Sequence, residues 1–240
     1  MNILTVDTAT EAMRLGLAVG DEENPMELFC ERMLLSSGMH SEFLVPHMLS
    51  MCEEMGITFK ELNLLVCTSG PGSFTGLRVG MSALKGIALG GNIPLVSVPT
   101  MDALKEAVGF FPGAVVPVID ARKARFYSTI FKDGKRMCPD LDCEGTEVAK
   151  LLEGYETVLV TGPDAAAFAP TITPFAGHLI VDHVRYRSLH QSLVTLGLRR
   201  FKENGADDIG CGPEYVRRSD AEIALEEKIK KMEGEQRAKL

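Results

Sequence analysis

The chain has 240 residues, 45% of them hydrophobic and 24% charged, with a net charge of −8. This is the composition of an ordinary globular protein with room for one large domain or two modest ones. The acid excess argues against tight independent binding to RNA, where phosphate neutralisation supplies most non-specific affinity. No apolar run approaches the length of a membrane span.

The first seven residues carry no basic region and break on Asp7, so no secretory signal is expected. The six cysteines include no Cys-x-x-Cys pair, which points to a reduced, cytoplasmic protein. Residues 3–6 read as a short buried strand closing on Asp7. Leu15, Leu17 and Val19 alternate with smaller or polar residues and give a second strand, and residues 26–34 a third, at an edge. A helix is predicted over 41–55, stopped by Gly56. Thr58 and Glu61 have the spacing of a capping box. Strand 64–69, helix 75–90 and strand 95–98 follow, and Thr100 is placed to cap a helix over 101–108.

Residues 109–113, with Pro112, break the composition and mark a domain boundary. Beyond it Val115, Val116, Val118 and Ile119 lead into Asp120, as residues 3–6 lead into Asp7. A strand over 126–131, a hairpin turn at Asp133-Gly134, a helix over 147–153, strands over 157–161 and 178–182, and a long helix over 188–203 complete the repeat. Ser219 to Glu222 spells a second capping box, opening a charged helix to about residue 238. Strands followed by helices, twice, with an acid closing each first strand, give an α/β fold of two mixed-sheet domains flanked by helices. This is the duplicated actin-like and sugar-kinase-like (ASKHA, ribonuclease H-like) architecture. The domains are residues 1–108 and 109–212, with a C-terminal helix over 213–240 packing back on the first.

The most informative stretch is Ser69, Gly70, Pro71, Gly72, Ser73, Phe74, Thr75, Gly76, Leu77, Arg78, Val79 and Gly80. It joins a buried strand to a helix N-terminus, where backbone N–H groups are unpaired. Glycines there allow close backbone approach. The string lacks the Gly-Lys-Ser/Thr ending of a Walker loop, and its Gly-x-Gly-x-x-x-Gly spacing is one residue longer than the dinucleotide fingerprint. In an actin-like ATPase the first phosphate loop would be Asp7-Thr8-Ala9-Thr10, yet no glycine stands between Asp7 and Gly16, and none directly follows Asp120. Asp7, Thr8 and Asp120 are thus candidates for a degenerate nucleotide site. Either acid could hold a metal through water, or could simply accept hydrogen bonds from backbone amides at its strand end, which is the favoured reading.

His40 and His47 are seven residues apart, two helical turns, too far to share one ion. Cys138 and Cys143 share a polar loop without a further ligand pattern, and no metal site is expected. On the first long helix Leu44, Met48, Met51 and Met55 form one stripe. On the second, Gly76, Gly80, Ala83 and Ile87 form a side that another helix could approach, with Leu77, Met81 and Leu84 beside it. Methionine recurs at partner-accepting surfaces, but the same stripes would equally fill the chain's own core. There is no Gly-x-Ser-x-Gly elbow and no His-Glu-x-x-His.

Four segments taken in order resemble the TsaB (YeaZ) family: residues 3–10, His40-Ser41-Glu42 with Leu44 and Pro46, the string from Ser69 to Gly80, and Ile119-Asp120-Ala121-Arg122 with Tyr127. Pro213, Tyr215 and Arg217 are similar to its closing motif, with Val216 in place of leucine. The resemblance implies an actin-like fold with a degenerate ATP site and no catalytic residues. It implies a non-catalytic subunit that binds and orders the catalytic subunit TsaD. With the ATPase TsaE, that complex adds a threonylcarbamoyl group to adenosine 37 of tRNAs reading ANN codons. By position, the implied partner surface takes in His40, Leu44, Met48, Met51, Met55, Leu77, Gly80, Met81, Ala83, Leu84 and Ile87. A homodimer is implied when the chain is alone, with tRNA met only through the complex and ATP or ADP only at a shared interface. On this reading Gly80→Arg, or Met48→Glu with Met51→Glu, abolishes pairing and leaves the chain folded. The alternatives are a stand-alone ATPase or phosphotransferase and, with less support, a peptidase-like hydrolase.

Overall fold

The computed structural model describes residues 1–21, 23–35, 39–172 and 175–217. Its first half is built from β1 (Asn2–Asp7), β2 (Ala12–Val19), β3 (Leu28–Leu35), α1 (His40–Glu54), β4 (Leu64–Gly70), α2 (Phe74–Gly91), β5 (Leu95–Pro99) and α3 (Thr100–Ala107). β1, β2 and β3 form an antiparallel meander, and β1, β4 and β5 run parallel, giving the order β3-β2-β1-β4-β5.

The second half contains β6 (Ala114–Arg122), β7 (Arg125–Ser128), β8 (Phe131–Lys132), β9 (Lys135–Arg136), β10 (Leu141–Cys143), α4 (Gly145–Leu151), β11 (Thr157–Thr161), α5 (Ala165–Phe168) and β12 (His178–Val181). It repeats the order as β10-β7-β6-β11-β12, with the same sequence of antiparallel and parallel neighbours. The duplication expected from the two Asp-terminated strands is therefore a duplication of sheet topology. β8 and β9 form a small added hairpin on β6, turned by Asp133 and Gly134 at φ 51° and 75°, as a two-residue hairpin turn requires.

The first sheet is covered on both faces, so its interior strand β4 is buried at all seven positions. On one face Leu4, Leu15 and Leu65 meet Leu44, Met48 and Met51 of α1 and Met81 and Leu84 of α2. On the other, Ile3, Val66 and Val96 meet Met101 of α3 and Leu193 and Val194 of α6 (His190–Asn204). The sequence places this last helix in the second domain, but α6 lies against β1, β2, β4 and β5. It comes so close that a Cβ on Gly197 would stand 2.6 Å from Val66. Residues 109–212 therefore do not make one self-contained lobe. The second lobe has its own core, where Phe126 and Phe168 meet edge to face at 5.0 Å.

Smaller departures have local causes. α1 starts one residue earlier than expected, after Met39 and with no side-chain cap, and carries Pro46 inside it. Thr100 is the first residue of α3, not its cap, and its hydroxyl is buried without a partner. The strand expected over 126–131 is divided between β7 and β8. The helix expected from residue 220 lies outside the described residues.

His190, at the start of α6, is 4% exposed and wedged against Gly16. Its Nδ1 lies 2.9 Å from the Thr5 hydroxyl and its Nε2 has no partner. Burial pushes the ring down to about 4 from an ordinary 6.5. A lowered folded-state value means that its stabilising contribution is complete above pH 6.5 and lost as pH falls through 4. Urea unfolding at pH 7 and pH 4.5 should therefore show a loss of about 2–3 kcal/mol that His190→Gln largely removes.

Candidate functional site: the cleft between the lobes

A cleft of about 520 Å³ lies between the two sheets. The β1–β2 turn (Ala9, Thr10, Glu11), the glycine turn before α2, the β6–β7 hairpin (Asp120 to Lys123), Asp164, and Tyr215 with Arg217 wall it. These are the places where the fold would hold a nucleotide. The two strand-end acids do not behave alike.

Asp7 is fully buried and does not line the cleft. Its Oδ2 accepts from Arg14 Nη1 of β2 at 2.7 Å. Its Oδ1 accepts from Thr68 Oγ1 and from the Ala9 amide, both at 3.0 Å. Arg14 is itself only 3% exposed and also donates to the Arg187 carbonyl. The carboxylate is thus neutralised from inside the lobe. Asp120 is exposed at the cleft and accepts from the Arg122 amide at 2.7 Å, while its own amide donates to Asp164 at 2.8 Å. Burial holds the Asp164 carboxyl above the usual carboxylate range. Across the cleft Glu11 accepts from Arg185 at 2.9 Å and from the Tyr186 hydroxyl at 2.6 Å.

The signature glycines close the first-lobe end of this cleft. A Cβ on Gly72 would lie 2.4 Å from the Ala9 carbonyl oxygen, one on Gly76 2.1 Å from the Thr8 carbonyl oxygen, and one on Gly80 2.3 Å from Thr8 Oγ1. The Ser73 amide donates to the Ala9 carbonyl at 2.6 Å, and Ser73 Oγ caps α2 by accepting from the Gly76 amide. Three glycines thus let α2 and its turn lie directly on the Thr8–Ala9 turn. Gly70 has a different neighbour. At φ 121° it faces the Glu214 carbonyl oxygen, 2.3 Å from where a Cβ would be. The following Gly70–Pro71 bond is cis.

The residues present do not fit a metal-bound triphosphate held in the manner of the fold. Asp7 is spent on Arg14, the Thr8 and Ala9 carbonyls are packed against the glycine turn, and the Ala9 amide is taken by Asp7. Among the described residues no three His, Cys, Asp or Glu side chains stand together as a metal site.

The expected partner stripes need correction. Leu44, Met48, Met51, Leu77, Met81 and Leu84 are 0–5% exposed. They point at the chain's own sheet, because an amphipathic helix here buries its apolar face on β-strands. Gly80 is committed to Thr8, so Gly80→Arg would disrupt the lobe rather than only its surface. His40 is buried beside the cleft, its Nε2 3.2 Å from the Glu11 carbonyl oxygen. Met55, Ala83 and Ile87 are half-buried. What these helices present outward is Val45 and Leu49 on α1, at 40% and 46% exposure, and Leu89, Gly86 and Gly90 on α2.

Several contacts had no motif to announce them. Arg14 was detectable only as a lone cation inside an apolar strand. Asp142 accepts from both Arg125 and Arg217, so two cations far apart in the sequence meet on one carboxylate. Among the described residues no helix is long and apolar enough to cross a membrane.

Two sheets of one topology, α2 docked on the first strand's turn and a cleft between them define a two-lobed protein of the actin and sugar-kinase class. A family model described as "TsaD: tRNA N6-adenosine threonylcarbamoyltransferase" matches residues 35–159, just over half of the chain. The tRNA threonylcarbamoyladenosine biosynthesis protein TsaB of Bacillus subtilis is 27% identical over 230 residues, covering 92% of this chain and 96% of that protein. The protein of the same name from Escherichia coli is 33% identical over 129 residues, 53% of each. The solved structure of YeaZ from Pseudomonas aeruginosa matches with a TM-score of 0.73 at 18% identity, over 90% of this chain and 99% of that one. The chain belongs to this family, in its TsaB (YeaZ) group.

Substituting glycines separates docking from helix formation. Gly76→Ala forces a methyl onto the Thr8 carbonyl and should cost about 1–3 kcal/mol. Gly86→Ala meets nothing within 4 Å and should add about 0.5–1 kcal/mol. Denaturant midpoints of the two variants read the difference. Arg14→Ala should cost about 3–5 kcal/mol by leaving Asp7 buried and unpaired, and more than a variant lacking both side chains.

Proposed function

We propose that this chain serves tRNA threonylcarbamoyladenosine formation as a non-catalytic subunit that binds and orders TsaD, the subunit that carries out the transfer. The observation that carries the reading is the cleft. In this chain the acid at the end of β1 is neutralised by Arg14, and the Thr8–Ala9 end of the adjoining turn is packed against α2 and its glycine turn. Both groups that an actin-like ATPase would direct at metal and phosphate are therefore engaged within the lobe. On this reading the chain holds no nucleotide tightly by itself, and ATP or ADP is met only at an interface shared with a partner. TsaE joins the assembled complex, tRNA is reached only through it, and the setting is the cytoplasm.

The partner surface is the outward side of α1 and α2, not their buried stripes. Val45 and Leu49 supply exposed apolar area, and Gly86 and Gly90 leave room for a neighbouring helix. A homodimer through the same side is the expected state without a partner. The stand-alone ATPase reading leans on Asp120 alone, since Asp7 is engaged. The hydrolase reading has Ser73 as its nearby hydroxyl, and that oxygen is the cap of α2.

The purified chain, added to TsaD, TsaE, the adenylate-forming enzyme and tRNA, should be required for modification of adenosine 37; equal modification without it contradicts the proposal. Val45→Glu with Leu49→Glu should abolish co-elution with TsaD and shift the unfolding free energy by no more than about 0.5 kcal/mol, as exposed substitutions do. Undiminished co-elution would remove this surface from the account.

A further inference from the structure

After α6 the chain does not leave the molecule. Asp207 accepts from the Ser97 amide of β5 at 2.7 Å, and the Cys211 carbonyl accepts from Lys85 of α2. The Glu214 amide then donates to the Ser69 carbonyl at 2.8 Å, seating the segment against Gly70. Tyr215 stacks on Phe74 with ring centroids 4.3 Å apart. The Arg78 guanidinium lies 3.9 Å from the centre of the Phe74 ring and donates to the Tyr215 hydroxyl at 2.8 Å. The guanidinium is attracted electrostatically to the ring face, and such a contact retains part of its strength at an exposed site.

Two residues later the same segment reaches the other lobe. Arg217 donates from Nε and Nη2 to the two oxygens of Asp142, at 2.7 and 3.3 Å, and from Nη1 to the Ala121 carbonyl at 3.0 Å. This planar two-point pairing fixes orientation as well as distance. That pairing is with β10, which lies beside β7, and the Ala121 bond reaches the tight β6–β7 hairpin in which Arg122, Lys123 and Ala124 all have positive φ, 66°, 57° and 58°. Non-glycine residues hold that conformation only where surrounding contacts impose it.

We propose that residues 211–217 are a strap that fixes the angle between the two lobes, clasped to the glycine turn by Tyr215 and to the β6–β7 hairpin by Arg217. Hinged two-lobed proteins close on ligands by changing this angle. Here a covalently continuous segment is attached on both sides of the cleft. The cleft keeps one width, and the first lobe is carried at a set angle to the second. The lobes also meet where Arg136 pairs with Asp102 at 2.9 Å, where Glu11 accepts from Arg185 and Tyr186, and in the core that Val115, Ile119 and Phe131 share with Met101 and Leu104. The strap is distinguished by joining the glycine turn to the hairpin, and by being mostly exposed along its length. It can therefore come away without the cores opening.

Hydrogen exchange on the full chain tests this. In Tyr215→Ala with Arg217→Ala, amides in residues 72–76 and 120–125 should exchange about tenfold faster, while those of β1, β4 and β11 stay unchanged. Small-angle scattering should show a broadened distribution of interlobe distances. Tyr215→Phe, which keeps the stack, should behave as wild type. Arg217→Lys, which keeps the charge but not the two-point geometry, should give an intermediate rise in the hairpin. Faster exchange confined to residues 205–217, with scattering unchanged, overturns the strap. If the double variant fails to fold, Arg217→Lys decides: a hairpin that exchanges as in wild type overturns it too.

Discussion

The contact on which the structure depends is the seating of the glycine turn and α2 on the Thr8–Ala9 turn. At Gly72, Gly76 and Gly80 the space a side chain would need is filled by that turn. The Ser73–Ala9 hydrogen bond locks the register between them. With α2 in place, Met81 and Leu84 reach the sheet and complete the first core. With the turn in place, Gly70 offers the surface on which Glu214 rests. Side chains that decide the lobe's packing and the residues that border the cleft are thus fixed by one close approach of backbone to backbone.

The buried pair between Arg14 and Asp7 follows from the same arrangement. An acid enclosed at the end of β1 needs either an ion or a built-in cation, because an isolated buried charge is far too costly. Arg14 stands opposite Asp7 in the β1–β2 register and supplies that cation from the neighbouring strand. The second copy of the unit solved the problem differently. Asp120 stays exposed at the surface and accepts from the Arg122 amide. The repeated strand-plus-aspartate pattern therefore holds one buried structural acid and one solvent-facing acid.

Much of this was legible in the residues. Alternation, apolar runs and the glycine, proline and capping-box boundaries marked β1, β2, β4, β5, β6, β11 and the long helices, since each is set by short-range pattern. The repeated strand-plus-aspartate signalled the duplicated topology. What pattern could not give was direction. The stripe Leu44, Met48, Met51 fits a partner or a sheet equally well, and only the position of β1 and β2 decides that it faces inward. The destination of α6 was equally hidden, because nothing local distinguishes packing on the second sheet from packing on the first. Arg14 stands out only as a lone cation in an apolar strand, and Tyr215 and Arg217 only as members of a closing motif, until the fold brings Asp7, Phe74 and Asp142 to them. The glycines signal a close backbone approach, and the fold supplies what approaches, the Thr8–Ala9 turn of the same chain.

The account stands or falls on whether the first-lobe end of the cleft is closed to phosphate. Calorimetric titration of the isolated chain with ATP and magnesium, followed by amide chemical shifts, measures this directly. With the Thr8–Ala9 turn packed against the glycine turn and Asp7 neutralised, no saturable heat and no shifts at Thr8, Ala9 or residues 72–76 are expected up to millimolar nucleotide. Magnesium-dependent binding at micromolar strength that moves those amides would contradict it.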